Sequence, residues 1–206
     1  DAGVKRFVFA ASSAAYGDIE AQEKSEDLPP SPLSPYAAQK LACELYCQVF
    51  HRLYGLETVA LRYFNVFGPR QDPNSQYAAV VPKFITMMLN GDAPVIDGDG
   101  EQSRDFTFVE NVVHANWLAC TSLSGAAGQV INAACGERVG VKQRAQCVRE
   151  ILGCDGAAVH GPPRAGDVKH SLADLTKARA LLGYEPVVPF AEGIRRTVAW
   201  YREQSA

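Results

Sequence analysis

Two apolar runs, Phe7–Ala11 and Thr58–Tyr63, lie on either side of one long segment with helical character. Short runs with so few polar residues are typical of strands that are buried on both faces of a parallel sheet. A strand, a helix and a second strand in succession imply a parallel crossover connection. We therefore predict an α/β fold in which the two runs are neighbouring parallel strands.

The segment between these runs has clear helix start and stop signals. Ser34 suits the N-cap, Pro35 the first helical position and Gly55 the C-terminal stop. Tyr36 and Lys40, four residues apart, then lie close together on one face of the helix. An ammonium beside a phenol favours the phenolate, so the pair fits a tyrosine base that works near neutral pH. Taken alone, a Tyr and Lys pair at this spacing is more often a solvated surface pair. The catalytic interpretation therefore depends on other motifs in the chain.

Each predicted strand ends in residues that can hydrogen-bond a ligand. Ser12 and Ser13 come after the first strand, and Asn65 comes after the second. In open α/β sheets the carboxyl ends of the strands form the edge at which ligands bind. The two serines therefore indicate either a ligand-binding edge or simple turn chemistry.

The second half of the chain alternates short strands with helices. Hydrophobic periodicity and Gly or Asn stop signals define these elements. We predict strands at Pro94–Asp97, Asp105–Val109 and Gln129–Ala133, and helices at Val81–Leu89, Val109–Ser122, Gly140–Leu152, Leu175–Leu182 (capped by Asp174) and Phe190–Glu203.

Composition excludes several classes of partner. With 206 residues, 47% of them hydrophobic, the chain can bury the core of one large or two small domains. A net charge of −3 argues against a nucleic-acid or anionic-membrane partner, and no apolar run has membrane-spanning length. The six cysteines lack zinc spacing and the four histidines are unclustered. We expect reduced packing thiols, no metal site and a cytoplasmic location.

Four motifs carry a resemblance to a known family. They are Phe9–Asp18, Pro35–Lys40, Leu61–Pro69 and Gly98–Phe106. In order and spacing they resemble the extended short-chain dehydrogenases/reductases, the NAD-dependent nucleotide-sugar epimerases and dehydratases. Within that family the chain looks most similar to the UDP-N-acetylglucosamine 4-epimerases, on the stretches Arg70–Asn74, Ala78–Lys83 and Arg164–Leu172.

The resemblance implies the C-terminal part of a Rossmann-type parallel sheet plus a smaller α/β substrate-binding domain. Residues 1–70 would belong to the NAD-binding domain, to which the chain may return later, and residues 71–206 mainly to the UDP-sugar-binding domain. The family's Gly-x-x-Gly-x-x-Gly phosphate loop is not in the sequence. Roughly a hundred residues before Asp1 would carry it, so we expect the chain to be the C-terminal two-thirds of such an enzyme. A sheet without that part should expose apolar surface at one face or edge.

The resemblance also implies inversion at C4 of a UDP-hexose through a 4-keto intermediate, with NAD as cofactor. Tyr36 would take the proton of the 4-hydroxyl, and Lys40 would hold the nicotinamide ribose and favour the phenolate. Ser12, with Ser13 beside it, would hydrogen-bond the reacting oxygen. The cofactor-binding positions implied are Ala10, Ala11, Tyr36, Lys40, Tyr63 and Phe64.

A nucleotide anchor must hold the substrate while the keto sugar turns over, and arginine binds phosphate oxygens bidentately. Arg104 and Arg164 match the family's pyrophosphate-binding positions. The remaining substrate-binding positions implied are Asn65 at the phosphates, Asp167 near the uridine ribose, Val80 and Val81 through their backbone, and Ser171. Ser171 falls where the family controls the size of the C2 substituent, and its small side chain favours UDP-GlcNAc and UDP-GalNAc.

Two other functions stay open. Dehydratases and decarboxylases of the family carry carboxylates before Tyr16, whereas Ser12–Ala15 contains none, which favours epimerisation. UDP-glucose is the alternative substrate. A non-catalytic UDP-sugar-binding fragment is the alternative of another class.

Family members pair through the Tyr36 helix and one helix of the segment expected before Asp1, as a four-helix bundle, so the resemblance implies a homodimer of the complete protein. Leu41, Leu45 and Val49 provide the apolar stripe that helix pairing requires. The alternative is that this stripe faces the protein's own sheet.

Overall fold

The computed structural model describes residues 2–73, 80–123, 125–154, 158–162 and 170–205. The strands are β1 (Arg6–Ser12), β2 (Glu57–Tyr63), β3 (Val66–Phe67), β4 (Val95–Asp97), β5 (Ser103–Asp105), β6 (Thr107–Phe108), β7 (Gln129–Ala133), β8 (Arg138–Gly140) and β9 (Val159–Gly161). The α-helices are α1 (Pro35–Tyr54), α2 (Val80–Leu89), α3 (Val109–Thr121), α4 (Val141–Leu152), α5 (Thr176–Leu182) and α6 (Phe190–Ser205). A 3₁₀ turn, Ser13–Tyr16, follows β1.

The main sheet has the strand order β1-β2-β7, and both pairings are parallel. The predicted parallel pairing of the two apolar runs is confirmed, with Ser12 opposite Tyr63. Tyr63 is in turn opposite Ala133 of β7, so the three strands end together at one edge. After residue 71 the chain thus returns to this sheet, while the limits of the two expected domains stay a prediction.

The central strand β2 is covered on both faces, which explains its nearly unbroken apolar sequence. Thr58 and Arg62 face α1, where they bond to the Cys47 carbonyl and to Glu44. Val59 and Leu61 face the other way, into a cluster that includes alanines of α3 and α5. The sheet therefore lies between α1 on one side and α3 with α5 on the other.

A second hydrophobic cluster lies apart from the sheet cluster and is built from α2, α4, α6 and the short strands. Phenylalanine rings pack at its centre in tilted arrangements: the Phe67 ring centroid lies 5.5 Å from that of Phe190 and 5.7 Å from that of Phe108. Short strand pairs surround this cluster, β3 with β6, β4 with β9 and β5 with β8.

Helix α1 has the predicted boundaries. The Ser34 hydroxyl accepts a hydrogen bond from the Ala37 N–H at 3.2 Å, Pro35 opens the helix, and Gly55 ends it in a left-handed conformation (φ 68°). Only glycine adopts that conformation at little cost, so Gly55 is the stop signal that the sequence indicated.

Most of the large apolar side chains of α1 are exposed. Leu45 is 54% exposed and Val49 44% exposed, so the alternative in which this stripe faces its own sheet is wrong for these two residues. On the sheet itself, Phe7 of β1 is 45% exposed, which agrees with the expected apolar surface at one edge. Further exposed apolar residues on α1 are Tyr46, Phe50, Leu53 and Tyr54.

Several predicted boundaries need correction. The run Asp105–Val109 is split into β5 and β6, because β5 pairs antiparallel with β8 whereas β6 pairs parallel with β3, and Val109 already belongs to α3. Asp174 is not the N-cap of α5: Leu175 occupies that position, and Asp174 accepts the Thr176 N–H at 2.8 Å from one residue earlier.

All six cysteines are free thiols, but Cys120 is exposed and so does not pack in a core. No helix in the described ranges combines the length and the apolarity needed to cross a membrane.

Candidate active site

The candidate site lies where β1 and β2 end. Ser12 is the last residue of β1, and its hydroxyl accepts a hydrogen bond from the Ala14 N–H at 3.2 Å, capping the 3₁₀ turn that Ser13 opens. This hydrogen bond fixes the orientation of the Ser12 side chain relative to the turn that follows it. The turn ends at Tyr16, whose side chain is buried.

Helix α1 brings the predicted Tyr36 and Lys40 pair to this strand. The Lys40 ammonium donates a hydrogen bond to the Ala10 carbonyl at 2.8 Å, two residues before Ser12. The same Nζ lies 5.7 Å from the centre of the Tyr36 ring and 5.2 Å from that of Phe9. Both Tyr36 and Lys40 are half-buried. The phenol, the ammonium and the end of β1 therefore occupy one region.

A close backbone contact supports the turn after Ser12. Gly17 has φ 60° and ψ −139°, and a Cβ atom built on it would collide with the carbonyl of Ser31. The Ser31 N–H donates to the Ala15 carbonyl at 3.0 Å, which ties the long loop before α1 to the turn. Gly17 is thus required both by its conformation and by this approach.

The other predicted cofactor-binding residues differ in exposure and in which of their atoms could contact a cofactor. Ala10 is exposed and Ala11 is buried beside it. The Tyr63 hydroxyl donates to the Asn116 side chain at 2.9 Å, towards α3. The Phe64 side chain is fully buried against Tyr16, so only the backbone of Phe64 can contact a cofactor.

Asn65 lies at the end of β2 in an unusual backbone conformation, with φ 32°. Its side-chain amide donates to the Asp105 carbonyl at 2.9 Å, and its own carbonyl accepts the Thr107 N–H at 3.3 Å. Part of its hydrogen-bonding capacity therefore joins the sheet to β5 and β6.

Asp105, which the sequence did not single out, connects three segments near the site. Its fully buried carboxylate accepts the N–H groups of Cys135 (3.0 Å), Gly136 (3.0 Å) and Ala173 (3.2 Å). Burial raises the pKa of Asp105 to about 6, against the opposing effect of these three hydrogen bonds. The arrangement fixes β5 relative to the end of β7 and to the segment around Ala173.

Arg104 and Ser171 lie near each other on this support. Arg104 is half-buried on β5 and donates to the Ser103 carbonyl at 2.9 Å. The Ser171 N–H bonds to the same carbonyl at 3.1 Å, and His170 Nδ1 lies 2.8 Å from the Ser103 hydroxyl. The structure thus brings these two predicted substrate residues to the same strand.

Val80 and Val81 are the first described residues of α2. The Val81 side chain is buried, so only its backbone can face a ligand. Arg164 and Asp167 lie outside the described residues. In the ranges that the structure covers, no three His, Cys, Asp or Glu side chains form a group that could hold a metal ion.

Comparisons with known proteins agree with the sequence motifs. Residues 1–134 match the model of the NAD dependent epimerase/dehydratase family. A UDP-N-acetylglucosamine 4-epimerase from Methanobrevibacter ruminantium M1, solved with UDP-N-acetylmuramic acid, is 46% identical with a TM-score of 0.92, covering 97% of this chain and 64% of the other. The Thermotoga maritima UDP-glucose 4-epimerase, solved with UDP-glucose, is 41% identical with a TM-score of 0.93, covering 99% and 65%.

A UDP-glucose 4-epimerase from Thermus thermophilus, solved with NAD, is 39% identical with a TM-score of 0.86, covering 97% of this chain and 65% of the other. The chain spans 65% and 64% of the length of the first two curated relatives that it matches. These matches confirm both the resemblance and the expected α/β fold.

We predict that Gly17→Ala in the full-length protein lowers the free energy of unfolding by roughly 2–3 kcal/mol, because it adds a backbone collision to a strained φ. Gly55→Ala is the matched control: it also has a positive φ, but open space surrounds its Cβ position. We expect that control to lose only about 1 kcal/mol. Urea unfolding measures both, and equal losses would show that the contact with Ser31 is unimportant.

Proposed function

The chain belongs to the NAD-dependent epimerase/dehydratase family, and we propose that the full-length protein inverts C4 of a UDP-hexose with NAD as cofactor. The observation that carries this proposal is the hydrogen bond between Lys40 and the Ala10 carbonyl. It joins the helix that bears Tyr36 to the strand that ends in Ser12. A base, a cation and a hydroxyl in one region are the groups that removal of a sugar hydroxyl proton requires.

The residues of this edge fit the nicotinamide end of NAD. Dinucleotides bind outside the carboxyl ends of parallel strands, and β1, β2 and β7 end together here. Lys40 is half-buried and held at this edge, where it would hydrogen-bond the nicotinamide ribose, with Ala10, Ala11 and the backbone of Tyr63 and Phe64 nearby. When bound, NAD supplies the acceptor for the C4 hydrogen and later its donor.

The proton is handled by this chain's own side chains. Tyr36 would accept the proton of the 4-hydroxyl, and the Lys40 ammonium would stabilise the phenolate that performs this step. Ser12 would donate a hydrogen bond to the same sugar oxygen, while its own oxygen accepts the Ala14 N–H. Ser13, the next residue, lies within the same turn.

The nucleotide would be held from the other side. Arg104 would bind the pyrophosphate together with Arg164, because guanidinium groups pair bidentately with phosphate oxygens. Asn65 would contact the phosphates and Asp167 the uridine ribose. Val80 and Val81 would contribute backbone groups. An anchor of this kind keeps the nucleotide in place while the keto sugar turns over.

UDP-GlcNAc and UDP-GalNAc are the preferred substrate pair, with UDP-glucose and UDP-galactose as the weaker pair. The small Ser171 side chain, beside Arg104, supports this order. The name of the 46% identical structure agrees with it, whereas the 41% identical structure is named for UDP-glucose. The absence of a carboxylate in Ser12–Ala15 favours epimerisation over dehydration. Binding of UDP-sugars without turnover is the alternative of another class.

We predict that Tyr36→Phe abolishes interconversion of UDP-GlcNAc and UDP-GalNAc while UDP-sugar affinity stays within about tenfold, because it removes the proton acceptor and little volume. Arg104→Ala should instead weaken binding. Turnover assays and calorimetry of the full-length protein measure the two effects. Tyr46→Phe, at an exposed tyrosine of the same helix, is the control. Near-normal turnover of the Tyr36 variant would refute the mechanism, and a wild type without turnover would leave only the binding function.

We predict that the full-length protein is a homodimer through the exposed apolar stripe of α1. Leu45→Glu with Val49→Glu should then convert a dimer into a monomer, because a charged stripe cannot pack in the core of a helix bundle. Val113→Glu, at a 61% exposed valine of α3, is the control and should stay dimeric. Sedimentation of the wild type as a monomer at micromolar concentration would count against the dimer.

We predict that Ser171→Tyr removes activity on the N-acetylated substrates and keeps activity on UDP-glucose. A bulky ring would fill the space that the C2 acetamido group needs while the keto sugar turns. Ser171→Ala, which stays small, should keep both activities. The ratio of kcat/KM for the two substrates is the measurement, and an unchanged ratio in the tyrosine variant would mean that specificity is set elsewhere.

A further inference from the structure

A buried ion pair joins α1 to the central strand. The Arg62 guanidinium donates to the Glu44 carboxylate through Nε, 3.0 Å from Oε1, and through Nη2, 2.7 Å from Oε2. Both side chains are almost fully buried, with 5% and 2% of their surfaces exposed. The bidentate geometry fixes both the distance and the relative orientation of the two groups.

The apolar packing between α1 and the sheet is slight. The buried residues of α1 are Ala37, Glu44 and Cys47, while most of its large apolar side chains are exposed and Leu41 is half-buried. On the sheet side the buried cluster consists of the small residues Ala11, Ala60 and Val130, and the half-buried Phe9 packs against it. Small side chains such as these tolerate rotation of a helix more easily than interlocked large ones.

Polar links along α1 therefore set its rotation and its position along the strands. Lys40 bonds to the Ala10 carbonyl, Glu44 to Arg62, and the Cys47 carbonyl to the Thr58 hydroxyl at 2.7 Å. They follow one another at about one-turn intervals. The middle link is the charged one.

Arg62 also contacts the turn that follows Ser12. Its guanidinium carbon lies 4.5 Å from the centre of the buried Tyr16 ring. The Tyr16 hydroxyl donates to the Asn132 side chain at 2.8 Å, and Asn132 is the β7 residue opposite Arg62. On its other side Arg62 is opposite Ala11, the residue before Ser12. Arg62 thus touches the helix that bears the base and the turn that orients the serine.

We propose that Glu44 and Arg62 are positioning residues, which hold Tyr36 and Lys40 in a fixed orientation towards Ser12. The proposal rests on the function proposed above. Tyr36, Lys40 and Glu44 stand four residues apart on one helix face, so any rotation or sliding at Glu44 moves the base as well. Arg62 stacks on Tyr16 and so holds the 3₁₀ turn that follows Ser12 in the same arrangement.

If Glu44 and Arg62 only stabilised the fold, a stable variant that lacks both of them would keep its kcat. Replacing both partners of a buried ion pair by apolar residues is often neutral for stability, whereas removing one partner leaves an uncompensated buried charge. Glu44→Met with Arg62→Met therefore keeps a filled core but lacks the directional bidentate contact. In this variant, an effect on folding stability can be distinguished from an effect on the orientation of α1.

We expect the double variant of the full-length protein to unfold near the wild-type urea concentration. Its kcat should fall by about 10²-fold, as for a displacement of reacting groups by about 1 Å. Its KM should stay within about threefold, because the nucleotide anchor is elsewhere. In its crystal structure the Lys40 ammonium should no longer lie within hydrogen-bonding distance of the Ala10 carbonyl. Thr197→Val, which removes a buried hydrogen bond to the Gly193 carbonyl within α6, is the matched control and should keep wild-type kcat.

A stable double variant with kcat within about threefold of wild type would overturn the proposal. Should the double variant not fold, Glu44→Gln replaces it, since the amide keeps one acceptor for Arg62 but loses the charge and the second one. That variant should lose about tenfold in kcat with little change in KM, and an unchanged kcat would overturn the proposal. A wild type without turnover refutes the proposed function alone, because the Lys40 to Ala10 separation in the variant crystal structure still tests the positioning.

Discussion

The buried ion pair between Glu44 and Arg62 is the interaction on which the arrangement of the site depends. Removing two charges from water costs several kcal/mol per ion, and the bidentate contact offsets this cost without leaving a large surplus. The pair therefore contributes orientation more than stability. Apolar packing is slight on this face of the sheet, so a directional contact decides how α1 lies, while the opposite face has the large apolar cluster around Leu61 and Ile131.

A second buried charged group, Asp105, has the corresponding role on the substrate side. Its carboxylate collects three backbone N–H groups from two distant segments and thereby fixes β5 beside Ser171. Both parts of the candidate site thus rest on buried carboxylates that lie outside the predicted catalytic set. One orients a helix, and the other orients a strand and a loop. Neither has to touch a ligand to affect how one is bound.

The features that were predictable from the sequence are those set by local chemistry or by the order of the elements. The cap at Ser34 and the stop at Gly55 follow from neighbouring residues, and the parallel pairing of the two apolar runs follows from the strand–helix–strand succession; the structure has all three. The pair of Glu44 and Arg62 joins positions eighteen apart, and Asp105 bonds to residues at least thirty positions away. No local sequence pattern predicts these contacts. A usable signal did exist: an arginine inside an apolar strand needs a buried partner, and a glutamate one turn after Lys40 was available. The 3₁₀ turn at Ser13–Tyr16 and the position of Asp174 one residue before the N-cap of α5 were not predicted, because single hydrogen bonds decide both.

The strand β1 has a consequence for how this polypeptide behaves in solution. In the described part of the chain β1 pairs only with β2, so half of its backbone N–H and C=O groups point outward along a row. Its sequence, Phe-Val-Phe-Ala-Ala, has no charge after Arg6 and no proline. An apolar strand edge of this kind can accept a strand of another molecule. The 206 residues produced by themselves should therefore be prone to aggregate, and soluble material requires something that covers this edge.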